Sequence, residues 1–257
     1  MQLVTHRGLD LWQFEGLGKE KAIRHFITSR RVPQSANEFT LSYSSTPNGD
    51  LVKQHRKKLA EAIGVTASNL FIPSQVHGTN IAVVNTETVK DDIMETDALI
   101  TNVPQVAIAV LSADCVPVLL FDRRNMVIGA IHAGWRGTVA KIVEKTLNKM
   151  NELFATRGRD LIAAIGPSVC QESYEVGEDV IHAVDTAFGR DHTLLRYLPH
   201  GKAKLDLWEA NRLQLLTFDV PAEMIEISNF CTVKNNNDFF SARLGDTGRF
   251  AAGISLV

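Results

Sequence analysis

The stretch "ADCVPVLLFDRRNMVIGAIHAGWRG", Ala113 to Gly137, holds two apolar runs, Val116 to Phe121 and Met126 to Ile131, on either side of the polar residues Asp122, Arg123, Arg124 and Asn125. Two apolar runs separated by a short polar turn read as a buried β-hairpin. For a symmetric turn, cross-strand partners have numbers that sum to 247, and Cys115 and His132 meet that condition. Residues directly opposed in a hairpin have Cβ atoms roughly 4.5 to 5.5 Å apart. Two ligands of one metal ion can use that separation.

Outward from the hairpin the pattern alternates between strand and helix. On the N-terminal side, "DALITNVPQVAIAVL" (Asp97 to Leu111) supplies two strands broken at Pro104, and "NLFIPSQVHGTNIAVVN" reads as strand, loop, strand, with His77 in the loop and Gly78 permitting a sharp turn. Before these, "LVKQHRKKLAEAIGV" fits a helix with Leu51, Leu59 and Ile63 inward, and the first fifty residues are weakly patterned. On the C-terminal side, Val139, Ile142, Val143, Leu147, Met150 and Leu153 recur at helical spacing, which predicts a helix starting near Thr138. "RDLIAAIGPSVC" reads as a buried strand ending at Gly166-Pro167. "VGEDVIHAVDTAF" and "LDLWEANRLQLL" read as helices, and "FFSARLGDTGRFAAGISLV" as a loop with a closing strand. No repeat, low-complexity tract or linker interrupts the chain, so one α/β domain over residues 1–257 is expected.

Composition narrows the chemistry. A chain of 257 residues, 45% hydrophobic and 22% charged with net charge -2, can bury a full core and lacks the basic excess of a nucleic-acid or anionic-membrane binder. A small polar substrate is the expected partner. The opening "MQLVTHRGLDLWQFEG" has neither the basic start nor the apolar run of a secretory signal, and no apolar stretch reaches membrane-spanning length. Cys115, Cys170 and Cys231 are odd in number and form no CxxC pair, which fits a reducing compartment; the expected location is cytoplasmic.

Cys115, His132 and His77 are the constellation that carries chemistry. A thiolate with two imidazoles suits zinc, and three protein ligands leave a fourth tetrahedral position for water or substrate. The same three residues also read as a small buried cysteine and two histidines satisfied in the core or solvated at the surface. In "HAGWRGTVAKIV" a strand end and a glycine-bracketed turn deliver Arg136 just ahead of the helix start, where backbone N–H groups and a guanidinium fork favour phosphate. The alternative there is a plain turn with Thr138 as N-cap and Arg136 in solvent.

In order along the chain, "SQVHG", "TDALIT", "ADCVPVLL", "HAGWRGT", "IGPS" with "YEVG", "LDLWEANRLQL", "FFSAR" and "TGRFAAGISL" resemble the YfiH family, also called laccase-domain or polyphenol-oxidase-like proteins, from about Leu51 to the end. The resemblance implies an α/β sandwich of mixed sheets covered by helices. It implies zinc on the histidine of QVHG, the cysteine of ADC and the histidine of HAGWRG, here His77, Cys115 and His132. It further implies phosphorolysis of adenosine, inosine and methylthioadenosine and hydrolytic deamination of adenosine; the family's older name comes from copper-dependent phenol oxidation. A water on the metal is the expected nucleophile for deamination. For phosphorolysis, Arg136 and Arg56 are the expected phosphate residues and Gln75 a substrate residue, while Asp114 and Glu175 are the acid/base candidates. The chain departs from the family in "LSYSSTPNGD" before the first helix, in His55 where Asn is usual, and in Leu244 of "RLGDTGR" where a second arginine is usual.

Three rivals follow from the same residues. A copper oxidase would hold copper in the same site, because Cu²⁺ outcompetes Zn²⁺ at most nitrogen and sulfur ligands. None of the eight histidines, however, forms the His-X-His pair of a trinuclear laccase cluster. A Cys/His hydrolase would use Cys115 as nucleophile and His132 as base. A zinc-stabilised binding module would hold metal without turnover.

Overall fold

Strand alternation decides which face of each sheet is covered. In the computed structural model, which describes residues 1–31, 38–46, 48–190 and 193–257, two six-stranded mixed sheets lie face to face. The first runs β1 (Gln2–His6), β2 (Leu9–Gln13), β3 (Ile23–Thr28), β15 (Phe250–Leu256), β7 (Ala107–Ser112), β4 (Leu70–Phe71). The second runs β14 (Ile225–Ile227), β10 (Leu161–Ile165), β8 (Val116–Asp122), β9 (Val127–Ala133), β6 (Ala98–Thr101), β5 (Ile81–Val83). A smaller sheet, β11 (Glu175–Val176), β13 (Lys202–Leu205), β12 (Leu195–Leu198), flanks them. The helices are α1 (Glu15–Gly18), α2 (Gly49–Ile63), α3 (Trp135–Val139), α4 (Ile142–Phe154), α5 (Glu178–Phe188) and α6 (Leu207–Thr217).

Successive residues of a strand serve different layers. Ile108 and Val110 of β7 pack with Leu119 and Phe121 of β8 and Ile128 and Ala130 of β9 in the core between the sheets. Ala107 and Ala109 face outward, where Leu59 and Ile63 of α2 cover them. Val118 and Leu120 face the opposite way, under Ile142, Leu147 and Met150 of α4 and Leu215 of α6. The result is an α/β/β/α sandwich with side chains alternating between three cores. Each fully buried Leu, Ile or Phe in these layers contributes roughly 1.5–3 kcal/mol.

Four expectations change. The first fifty residues carry β1, β2 and β3, which become order because β3 pairs with β15 at the chain's other end, His25 opposite Ile254; such long-range pairing leaves little local signal. The helix expected near Thr138 is two helices, with Lys141 in the left-handed region (φ 62°) between them. Thr138 is not an N-cap but a buried residue whose hydroxyl bonds Asn211, and Leu153 points outward, 44% exposed. Pro47 of "LSYSSTPNGD" and His192 lie outside the described residues.

Candidate metal centre

The hairpin register differs from the symmetric expectation. Asp122 pairs with Val127 and Pro117 with His132, so partner numbers sum to 249, two more than the symmetric turn gives. The cause is the turn. Asp122 is buried and its carboxylate accepts the N–H groups of Arg124 and Asn125, which pins a four-residue loop and places Met126 in it with φ 54°. A shift of two preserves the face, so Cys115 and His132 remain on one side as diagonal rather than direct partners. Continuing the register sets Gly134 across from Cys115. A Cβ at Gly134 would lie 3.0 Å from Cys115 Sγ and 3.2 Å from His77 Cδ2, so glycine leaves the space there open.

Two crossovers between the sheets bring the third residue in. The link from β7 to β8 is Ala113, Asp114 and Cys115, and the link from β4 to β5 carries His77. The ligand atoms of His77, Cys115 and His132 all lie within 4.8 Å of one another. Ligands of one tetrahedral zinc are separated by roughly 3.3–3.8 Å, given bonds of about 2.0–2.3 Å. The donor set of one thiolate and two imidazoles, with the opening that Gly134 preserves, therefore fits a single thiophilic ion.

Asp97, which sequence reading did not single out within "TDALIT", organises this centre. It is fully buried, and its carboxylate accepts Nδ1–H of His132 at 2.8 Å and the backbone N–H groups of Val76, His77 and Gly78 at 3.3, 3.0 and 2.7 Å. The carboxylate only accepts, so Nδ1 of His132 carries a proton, and Nε2, on the Cys115 side, is the nitrogen that would bind an ion. Burial works to raise the Asp97 pKa, but the bonds from His132 and Gly78 hold it below the usual carboxylate range. The three backbone bonds also hold His77 at φ 61°. The left-handed residue of the turn is the ligand itself and not Gly78, a conformation that costs about 1–2 kcal/mol and needs such anchoring. Burial pushes the Cys115 thiol up, but His132 and His77 outweigh it and bring the thiol down to about 6. His132 in turn is raised to about 9: burial lowers it, and Cys115 and Asp97 more than compensate.

The three residues open onto a cavity of about 1220 Å³. Arg56 lines it, with Nε donating to the Leu41 carbonyl at 2.9 Å and the guanidinium over the Tyr43 ring. Gln75 lines it as well, but both ends of its amide pair with the backbone of Leu111, at 2.9 and 2.7 Å, so it anchors the His77 loop to the end of β7. Asp114 lines it at φ 85°, with one carboxylate oxygen bonded by Thr232 Oγ1 and the other by the Arg243 N–H. Glu175 is exposed, 3.9 Å from Lys204 Nζ, and is not among the lining residues. Neither is Arg136, which stands exposed inside the first turn of α3 with its guanidinium over Trp135, because the helix begins at Trp135 and not after the arginine. Tyr174, missed as an individual residue although "YEVG" contains it, lines the cavity; burial and then the charge on Cys115 push its hydroxyl up to about 12. All three cysteines are free, and the Cys170 N–H donates to Cys231 Sγ away from the centre.

Known proteins share this arrangement of the chain. A sequence model for the family described as "Multi-copper polyphenol oxidoreductase laccase" matches residues 24–257. A purine nucleoside phosphorylase of Bacteroides thetaiotaomicron is 39% identical, with 95% of each chain covered. The protein named adenosine deaminase RL5, from an unknown prokaryotic organism, is 39% identical over 77% of this chain and 79% of its own. The crystal structure of the Bacillus licheniformis hypothetical protein YfiH superposes with a TM-score of 0.91 at 24% identity, covering 99% of both chains, and so shares the fold. The chain belongs to this YfiH-like family of multi-copper polyphenol oxidoreductase laccase domains.

Proposed function

We propose that this protein is a zinc-dependent purine nucleoside enzyme, acting as one domain over residues 1–257 in the cytoplasm. It cleaves adenosine, inosine and methylthioadenosine by phosphorolysis and deaminates adenosine. The observation that carries the reading is the His77, Cys115 and His132 group opening onto a large cavity, in a chain whose relatives bear the names purine nucleoside phosphorylase and adenosine deaminase. His77, Cys115 and His132 would hold the ion, and a bound Zn²⁺ supplies Lewis-acid polarisation and acidifies water at neutral pH. Asp97 keeps His132 in the tautomer that leaves Nε2 to the ion. Tyr174 stays protonated at neutral pH, so its hydroxyl is a hydrogen-bond donor for the purine. Arg56 supplies a guanidinium to the phosphate, and Gln75 and Asp114 hold the two loops that carry His77 and Cys115. The test is product analysis after incubation with adenosine, with and without phosphate. Ribose 1-phosphate with adenine, or inosine with ammonia, supports the reading; recovery of unchanged adenosine from zinc-loaded protein overturns it.

A second reading rests on the lowered Cys115 thiol beside the raised His132, the electrostatics of a Cys/His hydrolase. Chelation separates the two, because a thiolate nucleophile keeps its activity in metal-free protein and the nucleoside reading requires that it vanish.

A further inference from the structure

The chain carries net charge -2, yet its large cavity is strongly cationic. Lys53, Arg56, Lys57, Lys90, Arg243 and Arg249 line it against the two carboxylates Asp91 and Asp114. Asp114 is already committed to Thr232 and the Arg243 backbone. Lys53, Arg56 and Lys57 fall at i, i+3 and i+4 of α2 and so share one helix face. Lys57 reaches Glu61 at 3.9 Å on the exposed side. Arg56, Lys90 and Arg249 have no carboxylate within ion-pair distance among the described residues. Each is instead held by backbone carbonyls: Arg56 by Leu41, Lys90 by Leu70, and Arg249 by Asp246, Thr247 and Gly248.

Two of these cations are seated on aromatic rings that restrict their motion, Arg56 over Tyr43 at 4.5 Å and Lys90 over Phe71 at 3.8 Å. Burial, and after it the neighbouring Arg56 charge, lower Lys90 to about 8. Burial lowers Arg56 as well. Like charges gathered and partly desolvated without a counter-charge raise the free energy of the fold, and an anion between them relieves it.

We infer that Arg56 and Lys90, with Lys53 and Arg249 beside them, form a binding site for a free inorganic phosphate dianion on the wall of the cavity that the metal centre shares. A guanidinium offers phosphate a planar fork and the ammonium a mobile point charge. The cavity, about 1220 Å³ against the roughly 300–1,000 Å³ of ordinary small-molecule sites, has room for an anion and a second ligand together. The choice of phosphate over another anion rests on the proposed phosphorolysis; the site itself rests on the cluster. Lys90, which the sequence patterns did not mark, is the new phosphate residue, and the site lies apart from Arg136.

The test measures orthophosphate binding calorimetrically, without nucleoside, on the full chain at constant ionic strength in chloride. Lys90→Gln and Arg56→Gln should each weaken binding at least tenfold, Lys90→Arg should recover most of it, and Lys149→Gln, which removes a surface charge paired with Glu152, should leave it unchanged. Thermal unfolding of each variant checks that Arg56→Gln, which also loses the Leu41 bond, is folded; Lys90→Gln carries the test if it is not. Phosphate binding equal to wild type in Lys90→Gln, or no saturable binding at millimolar phosphate in wild type, overturns the inference. Binding of adenosine 5′-monophosphate through Lys90 with none of orthophosphate overturns it in favour of an esterified phosphate. If orthophosphate binds through Lys90 and nucleosides are not cleaved, the site stands and the proposed phosphorolysis falls.

Discussion

Replacing Asp97 with asparagine isolates the organising role of one carboxylate. In the native protein both oxygens of Asp97 accept: Oδ1 from His77 N–H and His132 Nδ1–H, Oδ2 from Val76 and Gly78 N–H. Asparagine keeps one acceptor oxygen and turns the other into an amino group. With the oxygen left on His77 and His132, the amino group faces the Val76 and Gly78 N–H groups, donor against donor. Val76 is exposed and its N–H can turn to water, but Gly78 is half-buried and its bond is the shortest of the three backbone contacts. A buried donor left without a partner costs about 1–3 kcal/mol, and losing the charge on the two bonds that remain removes about 1 kcal/mol more. The stability of metal-free Asp97→Asn should therefore fall by about 2–4 kcal/mol, read as a lower urea midpoint with unchanged slope.

The same substitution loosens the His77 turn and weakens the preference for the Nδ1–H tautomer of His132. Partners of metal-bound histidines typically contribute ten- to a hundred-fold to affinity, about 1.4–2.7 kcal/mol. Zinc affinity measured by competition with a chelating dye should drop by that factor, with the ligands all still in place. Zinc affinity within threefold of wild type, together with a urea midpoint unmoved, would refute the argument that Asp97 sets both the loop and the imidazole.

Three other outcomes are expected. Cys115→Ala, His77→Ala and His132→Ala should each remain folded and lose tightly bound zinc; stoichiometric zinc in Cys115→Ala removes the thiolate from the centre. Gly134→Ala places a methyl group 3.0 Å from Cys115 Sγ at a backbone φ of -69° that alanine adopts freely, so zinc affinity should fall by tenfold or more while far-ultraviolet circular dichroism stays native; retention of full affinity shows that the space is not needed. His25 is buried, with Nε2 accepting the Phe14 N–H at 2.7 Å, and burial pushes its pKa down to about 4. An unfolded histidine titrates near 6.5, so the unfolded chain binds the extra proton between these values. Its contribution is whole above pH about 6.5 and is lost as pH falls to about 4, by about 3 kcal/mol. His25→Gln, which keeps an acceptor, should flatten that part of the urea-midpoint profile, and an identical slope in both proteins counts against the assignment.

What the sequence disclosed about the fold and the centre follows from which signals are local. The alternation of Val116 to Phe121 and of Val127 to Ala133 marks a hairpin because both runs and their turn lie within twenty residues, and α2, α5 and α6 show their helical period just as locally. The register was not legible from run lengths, because it depends on the Asp122 carboxylate accepting two backbone N–H groups and pulling Met126 out of the strand. Parity still protected the site: any slip of two keeps Cys115 and His132 on one face, whereas a slip of one would have separated them. Asp97 and Lys90 were hidden for a different reason. Neither residue type is diagnostic alone, and each acquires its role from groups distant in sequence, His132 for Asp97 and Arg56 for Lys90. Arg136 shows the converse: the helix starts one residue before the arginine, at Trp135 after the Gly134 cap, so its guanidinium lies over Trp135 and not on the cavity wall. Paired strands thus fix which residues share a face by parity alone, whereas a turn of one or two residues decides which way a long side chain points.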